Sequence, residues 1–431
     1  MYIPHPYTTH PVRAMNLNPI VLSIPIYFAL IGAELLVERL QHQEKYRFHD
    51  AITNISCGMT SQISGVFLKV VVVGVYELLY EHFRLFDIPR TWATGLLLFV
   101  LADLCYYFAH RYSHEINFFW GGHVVHHQSE DYNLSVALRQ SSLQGMFTFM
   151  FYLPLAVIGF ETSFFVYVSA LVTLYQFWIH TELIGKLGPL EWVLNTPSHH
   201  RVHHGRNPKY IDKNYAGTFI IWDRLFGTFQ EEEETPVYGI TTPVRSWNPV
   251  WVNFGHYFQM AEQLRQTPGL GNKLRVVFGR PGWRPAALGG PYQVPEVEVA
   301  TYQKYCTTAP ATVNWYVFGQ YVVLLGVAAA FLFTQKDMTP ALRWLVAGWC
   351  TWAALACGAL FEAKRWGYWL EPLRLAASVG LLLLTLQHQP WLSAALAAGG
   401  VYLGGSLLWL YSFRRVFAPA NKVAEAAYAQ A

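Results

Sequence analysis

Histidine residues form three closely spaced groups between positions 110 and 204 of this 431-residue chain. The groups read HRYSH at 110–114, HVVHH at 123–127 and HRVHH at 200–204, and His199 directly precedes the third. On a helix, residues three and four positions apart share a face, so the histidines of each group can aim at one point. His180 follows an apolar segment and could join them. The members of the three groups are His110, His114, His123, His126, His127, His200, His203 and His204.

Imidazoles at this spacing are typical of a transition-metal site. Neutral imidazole suits zinc, copper, iron and nickel. Because one ion takes roughly four to six ligands, eight or nine histidines indicate two metal ions. Any single group could be incidental, or part of a solvated histidine face. Polar groups near a bilayer are costly unless they are used, and three groups that each adjoin an apolar segment or a turn favour the metal site.

The helices that must position these histidines are predicted to lie in a membrane. Hydrophobic residues make up 53% of the chain and charged residues 13%, against about 25% charged in ordinary soluble domains. The predicted fold is an all-α integral membrane protein, a multi-pass helical bundle with a histidine-box di-metal site on its cytosolic side. The net charge of +3 gives no indication of nucleic-acid binding. Five cysteines without a CxxC pair argue against a disulfide framework or a thiolate metal site.

Several apolar runs reach the roughly 20 residues that a membrane-spanning helix needs. The stretch 143–179 is broken near Gly159 and predicts a hairpin of two helices too short to cross fully. The N-terminal segment lacks the compact basic start and cleavage site of a signal peptide, so the first apolar run is expected to remain as an anchor. The other predicted spans are 18–37, 56–80, 91–109, 311–334, 341–361, 369–386 and 391–412.

These runs divide the chain into three predicted parts. N-terminal transmembrane helices occupy 1–90, a catalytic domain with the histidine boxes 91–300, and C-terminal transmembrane helices 301–431. Within the polar stretch 181–310, the acidic run Glu231–Glu234 is expected to be a solvated loop. The C-terminal helices lack a histidine box. We expect them to be structural or oligomer-forming, or to form a wall for substrate entry.

Basic residues indicate the orientation of the histidine groups. If the hairpin returns to its own side, these groups share a face with the basic loops, and the opposite short loops carry little beyond Arg84, Arg90 and Lys336. The positive-inside tendency then places the histidines on the cytosolic side of an endoplasmic-reticulum-type or bacterial cytoplasmic membrane. The basic residues on the histidine face are Arg39, Lys45, Arg47, Lys364, Arg365, Arg414 and Arg415.

The three groups and the segment DKNYAGTFIIWDRLFGTF at 212–229 resemble the signature of the fatty acid hydroxylase/sterol desaturase superfamily of membrane di-iron enzymes. This resemblance covers roughly residues 90–230. It implies that the eight histidines of the three groups are iron ligands, with His180 and His199 as further candidates. Within 212–229, Asp223 and Arg224 could orient ligands, although a local ion pair or helix cap is the simpler interpretation.

Within the superfamily, the chain is most similar to the members that cleave ether lipids with a tetrahydropterin as reductant. In those members a glutamate beside the first box is associated with tetrahydropterin-dependent activity, and Glu115 matches it. The resemblance therefore implies a catalytic and cofactor-binding role for Glu115. Alternatively, its carboxylate holds the ring N–H of a metal-bound imidazole.

The resemblance implies a membrane monooxygenase with two iron ions, O₂ as co-substrate, a tetrahydropterin as reductant and a lipid, most simply an ether lipid, as substrate. Hydroxylation next to the ether oxygen would give a fatty aldehyde and a glycerol derivative. The same chemistry on a sterol, a fatty acyl chain or a carotenoid is an alternative. A haem-binding electron carrier is an alternative of a different class, but it needs only widely spaced single histidines, so the clustered groups count against it. A metal transporter is another, but its ligands would be expected at mid-membrane depth with acidic companions, whereas the groups here lie at helix ends.

Overall fold

The computed structural model describes residues 19–297, 299–307 and 309–418. The N-terminal segment, for which no signal peptide is predicted, lies outside them. The described residues form fifteen α-helices and no β-strand, which confirms the all-α prediction. The helices are α1 Pro19–Leu40, α2 Phe48–Phe83, α3 Trp92–Glu115, α4 Asn117–His127, α5 Gln144–Thr148, α6 Leu153–Ile158, α7 Thr162–Tyr175, α8 Pro197–His204, α9 Ile221–Phe226, α10 Pro249–Gln266, α11 Leu270–Phe278, α12 Ala311–Thr334, α13 Pro340–Phe361, α14 Arg365–Leu386 and α15 Leu392–Ser412.

Six helices of the described residues, α2, α3 and α12 to α15, are long and apolar enough to cross a membrane, so the chain is a multi-pass membrane protein. The start of α3 shows how the sequence sets a boundary. The Thr91 hydroxyl accepts a hydrogen bond from the Thr94 backbone N–H at 3.2 Å, and the Thr94 hydroxyl accepts one from the Thr91 N–H at 2.9 Å. This reciprocal capping satisfies two N–H groups that the first helical turn leaves without partners.

Helices α5 to α7 form the predicted hairpin. The apolar helical run Gln144–Ile158 and helix α7 are both shorter than 18 residues, which agrees with the expectation of short arms. The break falls at Gly159, whose φ of +118° suits glycine, and a side chain there would collide with the backbone of Phe86. The Glu161 carboxylate then accepts from the Phe164 N–H at 2.9 Å and caps α7. The hairpin tip therefore packs on the loop between α2 and α3.

The opposite end of the bundle gathers the loops beside the histidine groups. The Arg47 guanidinium, just before α2, donates to Asp131 after α4 and to the Tyr305 carbonyl before α12. The Ser246 hydroxyl, before α10, donates to Glu362 at the end of α13 at 2.7 Å. These segments therefore share one face, as expected from the sequence. The assignment of this face to the cytosol stays a prediction.

The C-terminal helices α12 to α15 contain a polar network between their apolar surfaces. The Arg374 guanidinium binds the Glu371 carboxylate at 2.6 and 2.8 Å, and also donates to Gln320 at 2.6 Å. The Tyr316 hydroxyl donates to Glu371 at 2.8 Å, and Gln320 donates to Ser406 at 2.9 Å. Side chains from α12, α14 and α15 are thereby tied together.

Helices α10 and α11 form a layer over α4. The Asn248 side chain caps α10 by accepting from the Val250 N–H at 2.9 Å. The Gln128 side chain, just after α4, donates to the Val252 carbonyl at 3.1 Å. On its outer side α10 exposes aromatic rings, and Phe254 and Phe258 are both accessible. This layer closes one side of the space beside the histidines.

Candidate metal centre

Helix α3 carries the first histidine group at its C-terminal end. His110 and His114 lie one turn apart, and both are buried. The His110 Nδ1 atom lies 2.7 Å from the Tyr215 carbonyl. Because a carbonyl only accepts, Nδ1 must carry the hydrogen, which leaves a lone pair on Nε2 for a metal. The Asp223 carboxylate fixes that carbonyl in place by accepting from the backbone N–H groups of Tyr215 and Ala216 at 2.8 and 2.9 Å.

The expectation of a local ion pair between Asp223 and Arg224 is wrong. The Asp223 carboxylate accepts from backbone N–H groups, whereas the Arg224 guanidinium lies 3.7 Å from the centre of the Phe229 ring. Asp223 therefore orients a histidine through the backbone, which the sequence segment offered only as one alternative.

Helix α4 carries the second group, and a buried arginine holds it. The Arg139 guanidinium donates to the Val125 carbonyl at 2.7 Å, and His126 Nδ1 donates to the Arg139 carbonyl at 3.0 Å. Close packing needs glycine here, because a side chain at Gly121 would come within 2.5 Å of the Tyr257 ring on α10. The ring of His126 is thereby fixed with Nε2 pointing away from the backbone.

Helix α8 carries the third group and is fastened by the acidic run. Pro197 occupies its first position, which suits proline because no intrahelical N–H bond is made there. The Arg201 guanidinium makes two 2.7 Å bonds to the Glu232 carboxylate. The prediction that Glu231–Glu234 is simply a solvated loop is therefore wrong for Glu232. A bidentate pair at a half-buried position holds α8 against the chain that follows it.

His180 lies in a turn after α7, which ends at Tyr175, and not within a helix that runs to residue 179. Its Nδ1 donates to the Gln176 carbonyl at 2.7 Å. Its Nε2 lies 3.2 Å from Nε2 of His126 and 3.0 Å from Nε2 of His200. The turn therefore brings this histidine to the second and third groups.

Nine of the ten predicted histidines converge in two neighbouring clusters. In each cluster one nitrogen from every ring lies within 4.8 Å of the others. The clusters adjoin each other, because the rings of His127 and His204 stack with centroids 4.4 Å apart. The first cluster is His110, His114, His123, His127 and His203, and the second is His126, His180, His200 and His204. The expectation that each group aims at one point is therefore wrong for the second and third groups. His126 is separated from the adjacent His127, and His203 from the adjacent His204, because adjacent positions on a helix point about 100° apart.

The geometry of both clusters fits metal ions. The Nε2 atoms of His110 and His123 lie 2.9 Å apart. Two ligands bound at right angles by bonds of about 2.1 Å are separated by about 3 Å. The Nε2 atoms of His114, His203 and His204 are buried without a hydrogen-bond partner. Such atoms are costly unless another group binds them, so the clusters have the donors and the spacing of a metal centre.

Burial also holds these imidazoles in the form that binds metal. Loss of solvent lowers the pKa of His203 to about 3 and the pKa of His126 to about 4. Both side chains are therefore neutral near pH 7, with a free lone pair. An uncharged all-nitrogen donor set suits iron, zinc, copper or nickel.

His199, the tenth predicted ligand, lies in neither cluster. It precedes His200 on α8 and points to a different side, as neighbouring helix positions must. Its ring packs edge-to-face against Phe229 with centroids 5.5 Å apart, and its carbonyl accepts from the Asn214 side chain at 3.1 Å. We therefore leave His199 out of the proposed ligand set.

A cavity of about 900 Å³ opens beside the first cluster. Its lining includes His114, His127, His203, His204 and Trp120. Its outer wall includes Phe258 of α10, together with Arg206, Asp212, Arg280 and Arg284. A molecule in this cavity therefore reaches imidazoles of both clusters.

Glu115 lies at the edge of this region. Its carboxylate pairs with Arg111 at 3.1 Å and lies 3.9 Å from the guanidinium of Arg280, a residue of the cavity wall. The ion-pair partners of Glu115 are thus arginines. The alternative interpretation, in which its carboxylate holds the ring N–H of a metal-bound histidine, is not what these contacts favour. Through Arg280, the carboxylate contacts the cavity wall.

Two buried acids that support the centre were not predicted from the sequence. Asp103 on α3 accepts from the Thr218 and Phe219 N–H groups at 2.7 and 3.0 Å. Asp50 on α2 accepts from Asn54 at 3.0 Å, and Asn54 in turn accepts from Arg139 at 2.9 Å. An acid inside an apolar helix is itself a signal, because it is retained only where it has partners.

The sequence comparisons agree with this site. The profile of the family described as Fatty acid hydroxylase matches residues 95–228, the segment that contains both clusters. The chain therefore carries a fatty acid hydroxylase domain, and the predicted superfamily is confirmed. No solved structure matches the chain.

Relatives define the family more closely. An alkylglycerol monooxygenase of Xenopus tropicalis is 38% identical over 397 residues, which cover 91% of this chain and 87% of the relative. The human alkylglycerol monooxygenase is 46% identical over 282 residues, 64% of this chain and 62% of the relative. An ornithine lipid hydroxylase of Rhizobium tropici is 25% identical over 219 residues, 47% of this chain and 66% of the relative. The chain belongs to the alkylglycerol monooxygenase family and is an oxidoreductase.

Proposed function

We propose that this protein is a membrane di-iron monooxygenase that cleaves the ether bond of alkylglycerol-type lipids. The observation that carries the proposal is the convergence of nine buried imidazoles in clusters of five and four beside one cavity. The proposed iron ligands are His110, His114, His123, His127 and His203 in one cluster and His126, His180, His200 and His204 in the other.

The proposed reaction inserts one oxygen atom of O₂ at the carbon next to the ether oxygen. The other oxygen atom leaves as water, and the reductant supplies two electrons. The resulting hemiacetal collapses to a fatty aldehyde and a glycerol derivative. Iron ions held by the histidines of the two clusters would activate O₂ for this step, which amino-acid side chains alone cannot do.

The chain itself positions the reactants. The rings of His110 and His126 are held by carbonyl acceptors, so their Nε2 atoms point inward before any ion binds. Nine neutral imidazoles add no negative charge to the ions, in contrast to the carboxylate-rich sites of soluble di-iron bundles. All nine rings are buried, which limits the access of bulk water to the ions that they would bind.

The position of the cavity supports a lipid substrate. Phe258 lies at once on the cavity wall and on the exposed side of α10. The Phe258 ring stacks on the exposed Trp251 ring of the same helix, with centroids 5.9 Å apart. An alkyl chain could follow this aromatic surface from the bilayer to the histidines.

We propose a tetrahydropterin as the reductant, on the strength of the family, and Glu115 as a residue that acts on it through the cavity wall. Glu115 bound to Arg111 and Arg280 would fix the arginine that faces the cavity. We also propose, from the basic loops, that the cavity faces the cytosol.

Product analysis tests the proposal. Iron-loaded protein in detergent, supplied with alkylglycerol, O₂ and a tetrahydropterin, should release fatty aldehyde, and label from ¹⁸O₂ should appear in the aldehyde before exchange. Omitting the tetrahydropterin should stop turnover, and Glu115→Gln should raise the KM for the tetrahydropterin. Loaded protein that binds alkylglycerol but releases no aldehyde would contradict the ether-cleaving reaction.

The same chemistry on another lipid is the second candidate. The ornithine lipid hydroxylase of Rhizobium tropici aligns with about half of this chain, so one relative is named for the hydroxylation of a different lipid. A panel of sterol, fatty acyl, ornithine-lipid and ether-lipid substrates separates the two. Hydroxylated product from a lipid other than an alkylglycerol, with no aldehyde from the ether lipid, would favour the alternative.

A further inference from the structure

An arginine two residues after the third histidine group is buried without a carboxylate partner among the described residues. Arg206 lies two residues after His204 and lines the cavity together with His203 and His204. Only 7% of its surface is exposed. A guanidinium is always charged, and a buried charge is costly unless it is paired.

Arg206 has weak partners and no carboxylate within 4.0 Å in the described part of the chain. One terminal nitrogen donates to the Tyr302 hydroxyl at 3.3 Å and the other to the Thr241 carbonyl at 3.4 Å. Its Nε atom is buried without a partner. The guanidinium also lies 5.1 Å from the centre of the Tyr302 ring. These contacts hold its position without neutralising its charge.

A second arginine on the same short stretch shows what is missing. Arg201, also 7% exposed, makes two 2.7 Å bonds to Glu232. Tyr302, which accepts from Arg206, donates its own hydroxyl hydrogen to Glu130 at 2.5 Å. The Glu130 carboxylate also accepts from the Tyr305 N–H at 2.5 Å and does not contact Arg206 directly. Within the ranges that the structure describes, the chain thus supplies a carboxylate as counter-charge for Arg201 and none for Arg206.

The rest of the cavity wall does not supply that counter-charge. Asp212 and Arg280 lie 3.7 Å apart and offset each other. Glu262 pairs with Arg265 at 2.7 Å. Arg284 stands over the Tyr292 ring at 5.8 Å and adds a further positive charge. The wall therefore favours a negatively charged ligand.

We propose that Arg206 is the anion-binding residue of the cavity and that its ligand is a phosphate group carried by the glycerol of an ether lipid. A planar fork of N–H donors matches phosphate oxygens, and such charge-assisted bonds are stronger than neutral ones. The glycerol separates the phosphate from the ether carbon. A phosphate at Arg206, beside His203 and His204, therefore leaves that carbon close to the histidine clusters. The lipid identity rests on the proposed function, and the anion site itself does not.

Direct binding tests the site without turnover. Purified protein in maltoside detergent, which contains no phosphate, is titrated with alkylglycerol, with alkylglycerol 3-phosphate and with inorganic phosphate. Kd and the thermal midpoint are measured. One charge-assisted bond predicts that wild type binds the phosphate-bearing lipid about tenfold or more tightly than the neutral lipid. Equal affinity of wild type for the two lipids would overturn the proposal, whatever any variant does.

Variants then assign the preference to a residue. Arg206→Gln should remove most of the preference, and Arg206→Lys should keep part of it, because lysine retains the charge but not the fork. Arg414→Gln is the matched control, since Arg414 is exposed after α15 and lies outside the cavity lining, and it should keep the full preference. An undiminished preference in Arg206→Gln would also overturn the proposal.

The two sources of phosphate are separated by competition. Displacement of the phosphate-bearing lipid by millimolar inorganic phosphate would support an anion site that also accepts free phosphate. Tight lipid binding that resists inorganic phosphate would support recognition of lipid-borne phosphate. In turnover, the ratio of kcat/KM for the two lipids should fall in Arg206→Gln by about the same factor as the binding ratio. Arg206-dependent binding without any aldehyde would contradict the proposed function and leave the anion site standing.

Discussion

The histidine centre and the C-terminal helices both bury polar groups beside apolar helices, but they do so in opposite ways. In the C-terminal network, Glu371 and Arg374 are 1% and 2% exposed, and each is bonded to the other and to a third side chain. In the centre, nitrogens of neighbouring imidazoles face each other at about 3 Å, and the Nε2 atoms of His114, His203 and His204 have no partner.

The polar groups of the C-terminal network stabilise the fold, whereas those of the histidine centre are arranged to bind a ligand. A satisfied network links helices and specifies their arrangement. His126 and His180 both carry their ring hydrogen on Nδ1, which donates to a backbone carbonyl. Their Nε2 lone pairs therefore face each other at 3.2 Å and repel each other unless a cation lies between them. The centre is thus incomplete as protein alone, whereas the C-terminal network is complete. Variants of each region test whether the two depend on each other.

The largest expected effect is loss of the metal centre. His203→Ala and His126→Ala each remove a ligand from a different cluster, so we expect loss of metal and at least a hundredfold loss of turnover for each. Metal per chain is measured by elemental analysis and turnover by aldehyde release. His388→Ala, at an exposed position, is the control and should retain both. Full metal content in both cluster variants would contradict the assigned ligands.

Breaking the C-terminal pair should affect stability instead. Glu371→Ala leaves Arg374 buried without its counter-charge, which costs about 3–5 kcal/mol of unfolding free energy. Metal per folded chain should be unchanged. The double variant Glu371→Leu with Arg374→Met should recover much of the stability, because apolar replacements of a buried pair are often tolerated. Unfolding in denaturing detergent gives the free energies. Loss of metal in folded Glu371→Ala would show that the two regions are not independent.

A smaller effect is expected where structural bonds support the ligands. Asp223→Asn keeps the size of the side chain but can no longer accept from both the Tyr215 and Ala216 N–H groups with a full charge. The His110 ring then loses its fixed acceptor, and metal affinity should fall about 10- to 100-fold. Metal competition with a chelator measures this. Glu233→Gln, an exposed acid of the run after α9, is the control. An unaltered affinity in Asp223→Asn would mean that the Tyr215 carbonyl is held by other bonds.

Much of the fold follows from local patterns in the sequence. Apolar runs of about 20 residues predict α12 to α15 within a few residues. The grouping of eight histidines follows from their three- and four-residue spacing, and His180 was predicted to join them from its place after an apolar segment. The division between two clusters does not, because it depends on how α3, α4 and α8 cross. His123 and His126 share a helix face and a sequence motif, yet they belong to different clusters.

The supports of the centre were harder to predict than its ligands. Asp103 accepts from the Thr218 N–H, 115 residues away, and Asp50 accepts from the Ser129 hydroxyl, 79 residues away, as well as from Asn54. No short motif encodes such distant contacts. The partner of Arg201 within the acidic run was missed for the same reason. Long-range pairing of charges depends on the tertiary arrangement, which the local sequence does not determine.

The smallest expected effect distinguishes two adjacent histidines on α8. His200 has its Nε2 atom 3.0 Å from that of His180, whereas the His199 ring packs against Phe229 outside both clusters. His199→Ala should therefore leave metal per chain unchanged and cost only the packing that its buried ring makes. His200→Ala should lower metal content by weakening the second cluster. Because the two variants remove the same side chain from neighbouring positions of one helix, general damage to α8 would affect both. Equal loss of metal in two variants that both remain folded by circular dichroism would place His199 among the ligands, and a loss confined to His200→Ala would confirm the division between ligand and packing residue.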